Sequence, residues 1–521
     1  MAQAALGSSR GPLPYTQAAA AYIPRPMAAL AAAWLALAAA TGALALQTRG
    51  PEDNESPQEM PWFIAANQFH FPQLFATDLE APAFRSLLQS SPAQYVLVNF
   101  YMPWCPHCQH FAPDFERVAL AIRNAQGNSS NGILTATMDC VRYASACTAW
   151  GIESFPSTLW GRRSDWLARS EGRAPSENLS QIDVNPRTAE AVAQWIQDAS
   201  GVGLNVAATS RADIAQLLQE KRATLMATAL PGAAALKPGP RAAAGADVWD
   251  SQMALALMLH NVFASTAFEA GKEDGPKKAL LDFVALLARR FPEPSRAAPP
   301  GSRCRGSLAA LDQQLRSNWT NLAQNLSKLQ PWVPRTDLVV ITPESLEDSW
   351  RLCGIDWNQY RHGFSGCRGS WPGKRGYTCG LWNMFHMLAA RAGDETAFSE
   401  LQTVRDTVAH YFQCADCRDH FLAMPLAQED ITSRRASQLW WWRTHNAVNE
   451  RVRLLEEQSA DGDPAYPKAQ WPSAELCPDC RLPAGEAGAA GGARAPSLQE
   501  SLAAQGWAAD RVGAFLDSYY G

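Results

Sequence analysis

The chain has little net charge, few cysteines for its length and almost no long apolar sequence. Lys and Arg number 45 against 50 Asp and Glu in 521 residues, a net charge of −5. No broad basic field for phosphates follows from that balance, which excludes a nucleic-acid partner as the default. Only one apolar run, Met27 to Leu46, is long enough to span a bilayer. A polytopic membrane protein is therefore excluded, and no C-terminal anchor is expected. Twelve cysteines are too sparse for a small disulfide scaffold. No internal repeat is visible. Hydrophobic residues, by contrast, make up 47% and charged residues 18%, so the chain can build cores and is not disordered throughout. Its length suggests about three domains.

Arg10 and Arg25 precede the uncharged run Met27–Leu46, which closes on the small-x-small sequence Ala43-Leu44-Ala45, and no acidic residue occurs before Glu52. Residues 1–46 read as a secretory signal or, uncleaved, as a signal anchor. Sequons at Asn54, Asn128, Asn178, Asn318 and Asn325 fit a lumenal chain, where disulfides form.

Residues 60–200 mix strand and helix patterns. Tyr95–Tyr101 is a short apolar run of the buried-strand kind, followed by Cys105-Pro106-His107-Cys108 and a helical pattern over about 109–124; Ile133–Met138 reads as another strand. Residues 205–345 turn helical over 252–268, 277–290 and 308–329, with Ala/Gly/Pro-rich linkers at 231–246 and 292–301. Residues 350–482 are helical and rich in Trp and His. The end, 483–521, reads as a low-complexity tail with a short amphipathic piece.

The cysteines form three CxxC pairs: Cys105/Cys108, Cys414/Cys417 and Cys477/Cys480. Cys140/Cys147 and Cys367/Cys379 lie close in sequence, leaving Cys304 and Cys353. A zinc site from the second and third CxxC is disfavoured, since 59 residues separate the halves; no metal is expected. A CxxC at a strand-to-helix turn instead sets its first sulfur at a helix N-terminus, where the dipole and unpaired N–H groups favour a thiolate. Cys105 is then the exposed attacking sulfur, Cys108 the resolving one, and His107 a polar group between them. The later Ser154-Phe155-Pro156-Ser157 suits a cis-proline loop at Pro156, whose backbone would pair with a substrate strand. A structural disulfide is the bland alternative.

The stretch Val98–Cys108 resembles thioredoxin domains of the protein disulfide isomerase type. Many of these carry an acid where Asn99 stands, and that acid helps move protons between the thiols; the proton route here is therefore open.

A second set of segments surrounds Cys414/Cys417: Arg375–His386, with Trp382 and His386 one turn apart; His410–Phe421; Trp440–Arg451; and Pro467–Pro472. Aromatic faces, imidazoles, amides and a cation around one dithiol suit a planar, anionic, aromatic cofactor, although single Trp and His residues are more often core. Together these segments closely resemble the Erv/ALR flavin domain, and the two bodies on one chain resemble the quiescin sulfhydryl oxidase family, in its shorter plant and protist form.

The resemblance implies an α/β thioredoxin fold followed by all-α domains, a pseudo-Erv region and an Erv/ALR four-helix bundle at 350–482. It implies FAD held by Arg375, Trp382, His386, Asp416, His420, Trp442, His445, Asn446, Val448, Asn449, Lys468 and Trp471. It sets Cys414 nearest the flavin and Cys417 in exchange with the thioredoxin module. Cys367–Cys379 and Cys477–Cys480 match accessory disulfides, Cys140–Cys147 looks like a structural bridge, and Cys304–Cys353 is the remaining pair. The activity implied is oxidation of client-protein thiols, with Cys105, Cys108, Cys414 and Cys417 passing electrons through FAD to oxygen, which becomes hydrogen peroxide. The partners expected are reduced client proteins and molecular oxygen, with no nucleic acid and a membrane only through an uncleaved anchor, for a monomer in the secretory pathway. The alternatives are a non-catalytic thioredoxin-like chaperone with a dead helical domain, and an isomerase without flavin.

Overall fold

A computed structural model describes residues 72–126, 132–170, 179–229, 248–263, 274–293, 304–327, 364–370, 373–459, 462–463, 465–483 and 505–521. The leader 1–46, three of the five sequons, the linkers at 231–246 and 294–301, and Cys353 lie outside these residues. Among the described residues no helix is long and apolar enough to cross a membrane.

The first body is a five-stranded sheet in the order β1-β3-β2-β4-β5, built from β1 (Thr77–Asp78), β2 (Tyr95–Tyr101), β3 (Ile133–Asp139), β4 (Ser157–Arg162) and β5 (Ser180–Gln181). β1, β3 and β2 run parallel, whereas β4 and β5 are antiparallel additions. β2 is central and covered on both faces, which is why it reads as an unbroken Tyr-Val-Leu-Val-Asn-Phe-Tyr run rather than an alternating one. Around it lie α1 (Ala81–Ser90), α2 (Pro106–Gln126), α3 (Ala144–Ala149), α4 (Arg163–Ser170) and α5 (Ala189–Ser200). Thr188 caps α5, its hydroxyl accepting from the Ala191 N–H at 3.3 Å, and Gly201 ends it at φ 73°. This is the thioredoxin fold, and α2 carries Cys105 and Cys108 at its start.

The rest is helical: α6 (Arg211–Ala229), α7 (Val248–Phe263), α8 (Asp274–Arg290), α9 (Cys304–Ser327), α10 (Gly376–Ala390), α11 (Ala397–Tyr411), α12 (Ala415–Leu422), α13 (Arg434–Ser459) and α14 (Ala509–Tyr520). α10, α11, α12 and α13 enclose the second CxxC. α7 lies along α10 and α8 along α11, so one apolar core runs through both sets. Gly380 makes the first contact possible, since a Cβ there would sit 2.5 Å from the Asp250 carbonyl oxygen.

Two expectations need correction here. Residues 505–521 are not a low-complexity tail: Leu482 donates to Gly506 and Ala508 to Cys480, and α14 buries Val512, Leu516 and Tyr520 against α10 and α13. Apolar residues at four-residue spacing drive that packing, masked in the composition by the Ala/Gly stretch before them. The stretch 200–246, Pro- and Gly-rich enough to suit a hinge between the bodies, instead holds a formed helix, α6, whose Arg211 bonds Asp114 of α2.

Candidate functional site

Three sulfurs meet where the two bodies touch. Cys105 Sγ lies 3.0 Å from Cys414 Sγ, and with Cys417 the three fall within 4.8 Å of one another. Cys105 and Cys108 are free thiols, while Cys414 and Cys417 share a disulfide. The Phe155–Pro156 peptide is cis, and Phe155 N–H donates to the Gln413 carbonyl at 2.9 Å while Phe155 and Cys414 pair as a parallel bridge. The Gln413–Cys414 backbone thus lies in the proline-loop groove in the manner of an added strand. Gly373 also seats the bodies together: Gln109 donates to its carbonyl at 2.8 Å, and a Cβ on it would meet the Pro103 carbonyl at 2.8 Å.

Charge surrounds this contact. Arg451 donates to His107 Nε2 at 3.2 Å, and His107 Nδ1 faces an Asp416 carboxylate oxygen at 3.3 Å. Only the neutral Nδ1–H tautomer serves both. Burial, with Arg451 opposing the Asp416 attraction, lowers the His107 pKa to about 4. Arg187 approaches Asp416 at 3.6 Å. Burial, and after it the bond to Cys105, raises the Cys108 thiol well above its ordinary value.

Behind the disulfide opens a cavity of about 320 Å³, a size usual for small-molecule sites. Cys417 forms part of its wall, and Cys414 does not. Trp382 and His445 stack at 4.2 Å with rings 2° apart, and His386 bonds His445 at 3.1 Å. Burial lowers the pKa of both imidazoles, that of His386 to about 3, so they are neutral. Arg375 and Lys468 supply cations; Lys468 is 3.5 Å from Glu456, and the Arg375 guanidinium covers the Tyr466 ring at 4.3 Å. Arg375 alone among the described non-glycine residues has a positive φ, 58°, where it starts α10. Ser473 and Arg451 line the cavity, and Ser473 Oγ and Arg451 Nε are buried without a hydrogen-bond partner. Polar atoms left so are costly, and this set fits a planar aromatic ligand that bears phosphates.

The sequence-derived residues divide around this cavity. Arg375, Trp382, His445, Val448, Asn449, Lys468 and Trp471 line it. His386 stands behind His445, stacked on Tyr520 at 4.6 Å. Trp442 and Asn446 brace the Trp471 backbone, with Asn446 donating to its carbonyl at 2.8 Å and accepting from its N–H at 2.7 Å.

Three expectations are overturned. Asp416 and His420 are not among the cavity-lining residues; both approach His107 of the thioredoxin body, Asp416 at 3.3 Å and the His420 ring at 6.4 Å between centroids. Cys105 is not exposed but fully buried, because the second body covers it. The positions of the second pair are the reverse of those expected: Cys414 meets Cys105, and Cys417 faces the cavity.

Disulfides join Cys140 to Cys147, Cys367 to Cys379 and Cys477 to Cys480. Cys304 is also disulfide-bonded; its expected partner Cys353 lies outside the described residues. Sequence reasoning missed Tyr466, Tyr519 and Tyr520 on the cavity wall. The four-residue spacing of Val512, Leu516 and Tyr520 was the available signal for Tyr520.

The Erv1/Alr family model matches residues 379–472 and the thioredoxin model residues 76–183. Sulfhydryl oxidase 1 of Oryza sativa subsp. japonica is 28% identical over 464 residues, covering 86% of this chain and 77% of that protein. Sulfhydryl oxidase 1 of Arabidopsis thaliana is 26% identical over 452 residues, covering 86% and 74%. Among solved structures, the sulfhydryl oxidase fragment of human QSOX1 aligns at 25% identity and a TM-score of 0.35, covering 54% of this chain and 96% of that one.

Proposed function

We propose, for a chain that belongs to the sulfhydryl oxidases joining a thioredoxin domain to an Erv/ALR domain, that it introduces disulfides into client proteins through the relay Cys105/Cys108 to Cys414/Cys417. The observation that carries the reading is the 3.0 Å approach of the free Cys105 thiol to Cys414 of an intact disulfide.

A client thiolate first attacks Cys105 of the oxidised Cys105–Cys108 pair and forms a mixed disulfide, expelling Cys108. A second client thiol displaces Cys105, leaving the client oxidised and the pair reduced. Cys105 then attacks Cys414 and expels the Cys417 thiolate. Cys108 attacks Cys105 and expels Cys414, and the electron pair now resides on Cys414/Cys417. Cys417 meets the cavity wall, so the electrons arrive beside the cofactor site. The stacked Trp382 and His445, the neutral imidazoles and the Arg375 and Lys468 cations fit FAD. Bound there, FAD would accept the pair and pass it to molecular oxygen, giving hydrogen peroxide. The side chains around the cavity, Cys417 among them, would hold the group and shield it from water. Tethering the two domains makes the second exchange intramolecular, with an effective concentration of order mM. The secretory pathway suits such an enzyme, and the disulfides of the chain agree with an oxidising compartment. A non-catalytic binding module gives no reason for three sulfurs in contact.

Adding a reduced, unfolded protein anaerobically should bleach the visible flavin absorbance of the purified chain. Cys105→Ser should abolish that bleaching and spare slow oxidation of dithiothreitol. The double variant Cys108→Ser, Cys417→Ser should trap a Cys105–Cys414 disulfide that Cys108→Ser, Cys414→Ser cannot form. Full-rate oxidation of protein thiols by Cys105→Ser would sink the relay.

A further inference from the structure

Closing the Cys105–Cys108 disulfide needs a base, because Cys108 is 2% exposed and its thiol is held protonated by burial. Helix α2 turns Cys108 toward a small cavity inside the thioredoxin domain, lined also by Asn99 and Tyr101 of β2, Thr137 of β3 and Glu116 of α2. It has room for about one water molecule. Glu116 is its one carboxyl. Its Oε2 accepts from the Phe75 N–H at 2.7 Å and the Ala76 N–H at 3.3 Å, while its Oε1 is buried without a hydrogen-bond partner. Thr137 Oγ1 is likewise buried and unpartnered. The amide of Asn99 accepts from Thr158 and has no proton to take or give at neutral pH.

Resting on the relay reading above, we propose that Glu116 holds the Cys108 proton, exchanging it through the small cavity they share. When a client opens the Cys105–Cys108 disulfide, the Cys108 sulfur leaves as thiolate and takes a proton from the Glu116 carboxyl. When Cys108 later attacks Cys105, the new Cys105–Cys108 bond forms and the Cys105–Cys414 bond breaks. The electron pair then leaves on Cys414, and the Cys108 proton returns to the Glu116 carboxylate. No other reagent is needed. Burial raises the Glu116 pKa to about 7, against the Phe75, Ala76 and Leu74 N–H groups and Lys221, which suits a group that must do both near neutrality. The ionisable groups around it are Cys108 on its own helix, the Tyr101 phenol on β2 and Lys221 on α6.

The test is a single anaerobic turnover of the full-length, flavin-loaded enzyme with reduced unfolded protein, quenched with an alkylating reagent and read by mass spectrometry of the linked peptides. In the wild type the Cys105–Cys414 species should decay with an inflection near pH 7. Glu116→Gln should slow that decay at least tenfold and abolish the inflection, and Glu116→Asp should keep the inflection at a reduced rate. Wild-type decay without an inflection near pH 7, or equal decay in wild type and Glu116→Gln, overturns the proposal. The wild-type profile serves even where a variant fails to fold. Absence of any Cys105–Cys414 species in the wild type would instead refute the relay itself.

Discussion

Asp416→Asn separates two accounts of one carboxylate. The family resemblance makes Asp416 a cofactor contact, whereas its carboxylate faces His107 at 3.3 Å and Arg187 at 3.6 Å across the domain boundary. The side chain is 41% exposed, so solvent screens the Arg187 pair and its worth is about 0.5 kcal/mol. The amide can still accept from His107, so what is lost there is the charge assistance of the hydrogen bond, again a fraction of its full value. Together the loss is about 1 kcal/mol, roughly a fivefold fall in the docking constant. Docking can be read directly in a Cys108→Ser, Cys417→Ser background, where Cys105 and Cys414 are the remaining partners. The equilibrium between their disulfide and a glutathione buffer gives the effective concentration of one sulfur at the other. Asp416→Asn should lower it about fivefold at low salt and less at high salt, because surface charges are screened within about 10 Å at 0.1 M. An unchanged effective concentration together with loss of bound flavin would refute the docking account and return Asp416 to the cofactor.

The same background should respond to acid. Burial in the docked form lowers the His107 pKa from the ordinary 6.5 to about 4; if undocking exposes the ring, the docked form binds fewer protons between these values and docking should weaken as pH falls through that range, and a constant effective concentration there would contradict it. Glu116→Gln should change how stability varies with pH. Because its carboxyl ionises at about 7 instead of 4.5, the native wild type keeps a proton that the unfolded chain loses, and its stability falls by up to about 3 kcal/mol as pH rises between those values. The variant should lack that fall when urea midpoints at pH 5 and 8 are compared. Leu516→Ala, at a position 1% exposed, should cost about 3 kcal/mol and lower the melting temperature of the helical domain around the second CxxC; a neutral result would mean that α14 is not part of its core.

Local chemistry was legible in the sequence, and relations between distant segments were not. The β2 run, the turn into Cys105-Pro106-His107-Cys108 and the helical spacing of α8 and α10 each arise from neighbouring residues, so pattern exposes them. The cavity wall from Trp382, His445 and Lys468 was readable because aromatic, imidazole and cation recur in a short stretch. Asp416 could not be assigned from its own helix, since its partners Arg187 and His107 are supplied by a body hundreds of residues earlier. The same holds for the order of Cys414 and Cys417: a CxxC spacing is symmetrical in sequence, and only the approach of Cys105 distinguishes its two ends. Tyr520 was hidden by the composition of the segment before it, although its spacing from Val512 and Leu516 was correct for a buried helix face.

The bridge between Phe155 and Cys414 makes the enzyme its own competitive ligand. In the proposed relay clients use the groove beside Pro156, and in the docked form the chain fills that groove with Gln413–Cys414. A client can bind only the undocked fraction, so its apparent affinity is weakened by that fraction: if about one molecule in ten is undocked, the client concentration needed rises about tenfold. Tighter docking would hasten the internal exchange and slow client capture, and turnover is fastest at an intermediate strength. The Asp416 clamp on His107 and Arg187 adds a modest, salt-sensitive part to a contact that Trp104 also makes with Tyr377 and Phe412, and so offers a means of tuning that compromise.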